Sequence, residues 1–252
     1  MLPTPSTSHV AFDRVYEPAE DSFLLLDTLS APPEARFLAE RFHGRPAPLV
    51  VEVGSGSGVV LAFVARNADT ILRRSDALAL AVDISAFACR ATAQTAATAL
   101  ADAAPRASLF LDAVNADLAT ALRPGSVDIL IFNPPYVPTP ALPDLSKHAQ
   151  HNVYSQTTTF DQDSYLLELS YAGGQDGMET TNRLLAQLHE VLHPERGVAY
   201  ILLCAQNKPL DVQRRVRGWG AAWAADLVGS SGKQAGWEKL QILRVARVQP
   251  EQ

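Results

Sequence analysis

The chain has 252 residues, 47% of them hydrophobic and 19% charged, which suits one large α/β domain with a substantial core. A net charge of -6 argues against a protein built to track nucleic acid, because phosphate contacts require a local basic excess. The two cysteines, Cys89 and Cys204, match no metal-binding spacing and read as small buried residues.

Residues 1–15 contain Pro3, Pro5, Ser6, Thr7 and Ser8 and read as a loose, flexible leader. They carry no basic-then-apolar signal, and the longest apolar runs are strand length rather than membrane length. The expectation is therefore a soluble intracellular protein, with residues 16–252 forming a single domain. From Glu20 to Leu29 the residues Phe23, Leu24 and Leu26 suit a short amphipathic helix opened by acidic side chains. Pro32 and Pro33 interrupt it, and a second short helix runs through Phe37, Leu38 and Phe42. Apolar strands are predicted over Leu49–Val53, Leu78–Ile84, Ser108–Leu111, Val127–Phe132 and Val198–Leu203. Helical patterns over Val59–Arg66, Ser85–Leu100 and Asn182–Leu192 lie between them. A helix near Leu210–Arg217 and strands near Trp223–Val228 and Lys239–Val245 complete the pattern. This alternation predicts a doubly wound, mostly parallel sheet covered by helices on both faces. In such sheets ligands bind beyond the carboxyl ends of the strands.

The first strand runs through Val50-Val51-Glu52-Val53 into Gly54-Ser55-Gly56-Ser57-Gly58. Glycines let the backbone turn sharply and let a ligand approach closely. The spacing is GxGxG, with Val59 where a dinucleotide fingerprint would need glycine. Glu52 stands just before the loop, where it would repel a pyrophosphate and welcome a cation. The second strand ends in Asp83-Ile84, where a carboxylate can accept from both hydroxyls of a ribose. Asp83 can equally cap the helix that follows. Asn115-Ala116-Asp117-Leu118 follows the third strand. There Asp117 can accept from an adenine amino group while Leu118 offers an apolar face, and a helix cap is again the alternative.

The sharpest motif is Ile129-Leu130-Ile131-Phe132-Asn133-Pro134-Pro135-Tyr136. Two prolines stiffen the turn and leave carbonyls available as acceptors. The Asn133 side-chain oxygen and the Pro134 carbonyl can accept both hydrogens of a planar NH2 group, and Tyr136 can pack on its plane. Holding both hydrogens aims the nitrogen lone pair, so catalysis is mainly orientation. His148 and His151 form an HxxH pair with no evident third ligand, so no metal site is read. Gly173-Gly174-Gln175-Asp176-Gly177 reads as a turn feeding a helix, and Trp219, Trp223 and Trp237 as core or rim aromatics.

Taken together, the glycine loop, Asp83, Asp117 and the NPPY turn resemble the HemK-like amino methyltransferases of the class I S-adenosylmethionine (AdoMet)-dependent fold. The segment from Tyr16 to Ser22, followed by Phe23-Leu24-Leu25-Leu26, resembles their eukaryotic and archaeal branch. That branch methylates the glutamine of the GGQ motif in the class 1 translation release factor. The resemblance covers roughly residues 14 to 245 and implies a seven-stranded sheet with the last strand antiparallel. It implies AdoMet as cofactor and S-adenosyl-L-homocysteine (AdoHcy) as product. By the same resemblance Tyr16 and Ser22 close over the methionine end, Glu52 and Gly54 lie near the amino-acid part, and Gly56 is a further cofactor contact. Asp83 and Ile84 would lie at the ribose, Asp117 and Leu118 at the adenine, and Asn133 between cofactor and acceptor.

The resemblance also implies a small zinc-binding activator as heterodimer partner. The third strand, near Ser108–Asp112, would lie at a sheet edge with no lysine, proline or bulge to blunt it. There the activator is expected to add a strand, with Leu109 and Leu111 on one face and Phe110 on the other. The expected location is the cytoplasm, with the nucleus as an additional one. Two departures stand out. Bacterial relatives carry a helical substrate-binding domain before the catalytic domain, whereas roughly 48 residues precede the first strand here, so substrate recognition is expected to be arranged differently. The polar segment from Ala141 to Tyr171 is long for the family and reads as a mobile lid or lineage-specific loop. The rival functions are an adenine-N6 nucleic-acid methyltransferase, a protein-lysine methyltransferase and a catalytically silent binding subunit.

Overall fold

The computed structural model describes residues 2–101, 108–155, 157–232 and 239–248. Helices α1 (Glu20–Ser30) and α2 (Pro32–Phe42) come first. The two prolines open α2, whose first turn has no use for the N–H that proline lacks. Next come β1 (Leu49–Val53), α3 (Val59–Arg66), the single turn α4 (Ala68–Ile71), β2 (Leu78–Asp83) and α5 (Ala86–Ala101). Then follow β3 (Leu109–Asn115), β4 (Ile129–Phe132), α6 (His148–His151) and α7 (Phe160–Tyr171). The last elements are α8 (Glu179–Val191), β5 (Val198–Cys204), α9 (Pro209–Arg217), β6 (Trp223–Ser230) and β7 (Leu240–Arg247).

The strands form one seven-stranded sheet in the order β3-β2-β1-β4-β5-β7-β6. The first five are parallel, and β7 runs antiparallel to both its neighbours. Strand alternation sorts the core into two layers. Val50, Ala81, Ile131 and Tyr200 face α1, α2 and α3, whereas Val51, Phe132, Ile201 and Leu243 face α8 and α9. Strand order reverses between β1 and β4, so the loops after those two strands diverge and open a crevice. No helix among the described residues is long and apolar enough to cross a membrane.

A buried polar network ties α2 to the antiparallel end of the sheet. The Tyr200 hydroxyl donates to Glu34 (2.8 Å), which is ion-paired with Arg244 (2.8 Å). Arg41 donates to the carbonyls of Arg196, Gly197 and Arg247. Burial pushes the Arg41 guanidinium down to about 10 and the Tyr200 phenol well up. Removing one member of such a buried set costs roughly 3–5 kcal/mol, because the others lose their compensation.

Several expectations need correction. The leader is not loose: Val10 and Val15 are buried with Phe87, Tyr165 and Leu166. The His9 ring reaches the Ala91 carbonyl. Residues 141–171 are not a plain loop, because α7 fills the second half and packs Tyr165 and Leu166 inward. His148 and His151 lie on the helical turn α6, with His148 Nε2 donating to the Ile84 carbonyl (3.0 Å) and His151 stacked on Tyr165. The β3 edge does carry a bulge. Register shifts between Phe110 and Asp112, so Leu111 has no partner and both it and Asp112 face outward. Trp223 is buried against a half-buried Trp219, and Trp237 lies outside the described residues.

Candidate active site

The residues singled out from the sequence converge on one pocket at the carboxyl ends of β1, β2, β3 and β4. Tyr16, Ser22, Glu52, Gly54, Gly56, Asp83, Ile84, Asp117, Leu118 and the whole turn from Asn133 to Tyr136 all line it. The glycine loop is shaped by α5. Gly58 has φ +78°, and a Cβ there would lie 2.6 Å from Thr92 Cα, so any side chain would push the loop off the helix. Thr92 donates to Ser55 Oγ (2.9 Å), and Thr95 donates to the Ser57 carbonyl (2.6 Å). These buried threonines leave no mark on the sequence beyond their spacing on the helix.

Two carboxylates lie on the floor. Glu52, nearly fully buried, accepts from the Leu61 N–H (2.9 Å). Asp83 accepts from Gly56 N–H (2.9 Å) and Ser85 N–H (2.8 Å), so it ties the glycine loop to the start of α5. The helix-cap alternative for Asp83 is thus also realised, and each oxygen keeps lone pairs for a ligand. Asp117 pairs with Arg183 from α8, which also lines the pocket. Leu118 takes a left-handed conformation with φ +50° and is buried.

The NPPY turn holds the decisive geometry. Asn133 Nδ2 donates to Asp21 Oδ2 (3.1 Å), and Asp21 Oδ1 accepts from the Ser22 N–H (2.6 Å). A carboxylate only accepts, so Asp21 fixes the Asn133 amide with its NH2 toward α1 and its oxygen turned away. That oxygen, Oδ1, is buried without a hydrogen-bond partner. Among the described residues the Pro134 carbonyl accepts no hydrogen bond either. Two acceptors thus stand ready for a donor with two hydrogens, and leaving the buried Asn133 oxygen unfilled costs on the order of 1–3 kcal/mol. Tyr136 is buried and packs into the core layer beneath α1 and α3, so its ring anchors the turn as well as lining the pocket.

No family model matches the chain. Its sequence is 34% identical to mouse "Methyltransferase HEMK2" over 252 residues, 98% of this chain and 97% of the relative. It is also 34% identical to the "eRF1 methyltransferase catalytic subunit mtq2" of Schizosaccharomyces pombe, over the same shares of both chains. An archaeal relative from Methanocaldococcus jannaschii, "Putative protein N5-glutamine methyltransferase MJ0928", is 28% identical over 75% of this chain and 71% of its own. The chain belongs to the HEMK2 methyltransferase family.

In this HEMK2-family chain the pocket electrostatics favour a cationic ligand. Desolvation pushes the Glu52 carboxyl up to about 8 despite the Leu61 hydrogen bond, and the Asp83 charge adds to the rise. Desolvation also raises Asp83, against the lowering effect of its two backbone donors. Neither carboxylate is ion-paired among the described residues, although Arg14 and Arg183 line the same pocket. Two buried carboxylates of raised pKa gain from a positive charge placed against them. Sequence reading missed Asp21 as a site residue, although it lies within the motif from Tyr16 to Ser22. It also missed Arg183 and Asn152. Asn152 accepts from Ala86 N–H (2.7 Å) and donates to the Ile84 carbonyl (3.1 Å), pinning the 141–154 segment beside the pocket.

Proposed function

We propose that this chain is the catalytic subunit of an AdoMet-dependent protein methyltransferase. Its acceptor is the side-chain amide nitrogen of the glutamine in the GGQ motif of the eukaryotic class 1 release factor. The observation that carries the reading is the fixed Asn133 amide, whose buried oxygen lacks a partner in a pocket lined by carboxylates. The family's fission yeast relative is named for the same factor, and its archaeal relative for glutamine-N5 transfer. The same reading has the protein act in the cytoplasm, with the nucleus as an additional location.

Bound AdoMet supplies a methyl group on a positively charged sulfur. Glu52 and Asp83 fit its charge and its ribose hydroxyls, while Leu118 and Asp117 fit the apolar face and amino edge of adenine. Asn133 Oδ1 and the Pro134 carbonyl would accept the two N–H hydrogens of the acceptor, which fixes its plane so that the lone pair perpendicular to it faces the methyl donor. The cofactor would take up the electron pair of the broken bond as a neutral thioether, and one proton would leave the acceptor nitrogen for water. Asn133 and Pro134 stabilise that N–H charge, so no strong base is needed and orientation is the main contribution.

The test is direct. The purified protein with its activator is incubated with methyl-labelled AdoMet and release factor, and the labelled peptide is sequenced by mass spectrometry. Label on the GGQ glutamine supports the reading. Label on lysine, or on adenine when DNA replaces the factor, overturns it, as does failure to bind AdoMet at all.

Glu52 gives a pH signature. Near neutrality its raised pKa leaves it largely protonated in the free protein, and a neighbouring cation favours the carboxylate. Binding then expels a proton, so affinity rises with pH until Glu52 is ionised beforehand, above about 8. Between pH 6 and 7, below the range where the ligand's own ammonium titrates, AdoMet affinity is expected to climb by up to about tenfold. Calorimetry in buffers of different ionisation heat should register the released proton, and Glu52→Gln should flatten the profile. A flat wild-type profile would remove Glu52 from the cation's surroundings.

The proposed activator, a small zinc-binding subunit, would add a strand to β3. That strand pairs with β2 on one side, and Leu109 and Leu111 are exposed while Phe110 packs inward. A two-leucine edge invites cover by a partner chain even with the bulge at Leu111. Leu109→Lys is expected to weaken the heterodimer at least tenfold in a titration, with the fold unchanged by circular dichroism, since Leu109 points away from the core. A fully active, monodisperse single chain would dispose of the activator.

A further inference from the structure

Asn207, in the turn after β5, is buried and lines no part of the candidate active-site pocket. Its side chain nevertheless reaches the backbone of the NPPY turn. Asn207 Nδ2 donates to the carbonyls of Asp176 (2.9 Å) and Tyr136 (3.2 Å) and faces that of Gly177 (3.4 Å). Its Oδ1 accepts from the Cys204 N–H (2.8 Å) at the end of β5. One amide therefore joins three backbones: the NPPY turn, the glycine turn at 173–177 and the last residue of a central strand.

The surrounding backbone is built to that contact. Gly177 has φ +67°, and a Cβ there would fall inside the Tyr136 carbonyl oxygen. A Cβ on Gly173 would lie 2.5 Å from the Pro135 carbonyl oxygen. Asp176 holds a left-handed conformation (φ +55°) that its surroundings must sustain. Val137 N–H donates to the Tyr171 carbonyl, and Gly173 N–H donates back to Val137 (2.8 Å). The NPPY turn thus lies clamped between the glycine turn and β5. Pro134 and Pro135 have fixed φ, which leaves few torsions to absorb a displacement at Tyr136 before it reaches Asn133.

We propose that Asn207 is a positioning residue for methyl transfer, which holds the Tyr136 carbonyl and through it sets where Asn133 and Pro134 meet the acceptor nitrogen. The proposal rests on the reading of Asn133 as the acceptor-binding group. The cofactor's carboxylates come from β1 and β2, on the other side of the crevice, so they keep their geometry when Asn207 is lost.

The experiment compares Asn207→Ala with wild type, each with its activator, in three measurements: AdoMet Kd by calorimetry, kcat and KM for release factor, and the unfolding midpoint. The expected result is an AdoMet Kd within about twofold, with kcat per folded molecule down about tenfold to a hundredfold, the scale of a misplaced reacting group. Asn207→Asp keeps the acceptor for Cys204 but sets an oxygen against three carbonyls, and should be at least as slow as the alanine variant. A purely structural role would lower the unfolding midpoint and leave kcat per folded molecule unchanged. That outcome overturns the proposal, as does an equal loss of AdoMet binding. Should the alanine chain not fold, Asn207→Ser, with a shorter donor that falls short of Tyr136, is read by the same criteria. Asn133→Ala run in parallel separates the two ideas. If it stays active, the acceptor reading fails; if it is inactive while Asn207→Ala is fully active, only the Asn207 proposal fails.

Discussion

Asn133→Ala is expected to reduce turnover by a hundredfold or more while leaving AdoMet affinity within a few-fold of wild type. The size follows from losing a positioning contact at the reacting centre, where small misplacement is costly. The fold should survive, because the Asn133 oxygen has no partner to lose and its NH2 bonds one carboxylate, Asp21. Single-turnover rates at saturating cofactor, with calorimetry for binding, check both halves. An alanine variant retaining over half of wild-type activity would end the proposed mechanism. Asp21→Ala should mimic a milder form, since it frees the amide to flip without removing it.

Asp83→Ala is expected to weaken AdoMet and AdoHcy alike, by about 1.5–3 kcal/mol, the usual scale for hydrogen bonds to a charged group. The two ligands share a ribose and differ at sulfur, so equal losses assign Asp83 to the ribose. A loss confined to AdoMet would move the residue to the sulfonium instead. Asp83 also accepts from the Gly56 and Ser85 N–H groups, so the unfolding midpoint of the free protein must be measured beside the affinities. Asp83→Asn keeps one acceptor for that backbone and should unfold closer to wild type while still binding both ligands more weakly.

Much of the fold was legible because each strand is a short apolar run closed by a breaker, as at Val53-Gly54 and Phe132-Asn133. The strand ends also carry the polar residues, so the pocket's lining could be named from position within each run. Pairings between distant segments were not legible. Asp21 meets Asn133 across 112 positions, and Asn207 meets Tyr136 across 71, with no local pattern to announce either. The leader misled for the same reason: Val10 and Val15 are buried by segments far along the chain, not by any periodicity of their own. α7 hid behind its polar residues, since only Tyr165 and Leu166 are buried in twelve positions. The bulge at Leu111 needs no glycine or proline, and so left no trace.

The polar network that joins α2 to β5 and β7 bears on how the chain is made. Glu34 waits for Arg244 across 210 positions, and Arg41 for the Arg247 carbonyl across 206. At 5–20 residues per second, a ribosome needs roughly 10–40 s to deliver those partners. Through most of that interval β5, β6 and β7 do not yet exist, so α1 and α2 lack the antiparallel end of the sheet that they finally contact. The core therefore closes at this end only when the final hairpin leaves the exit tunnel.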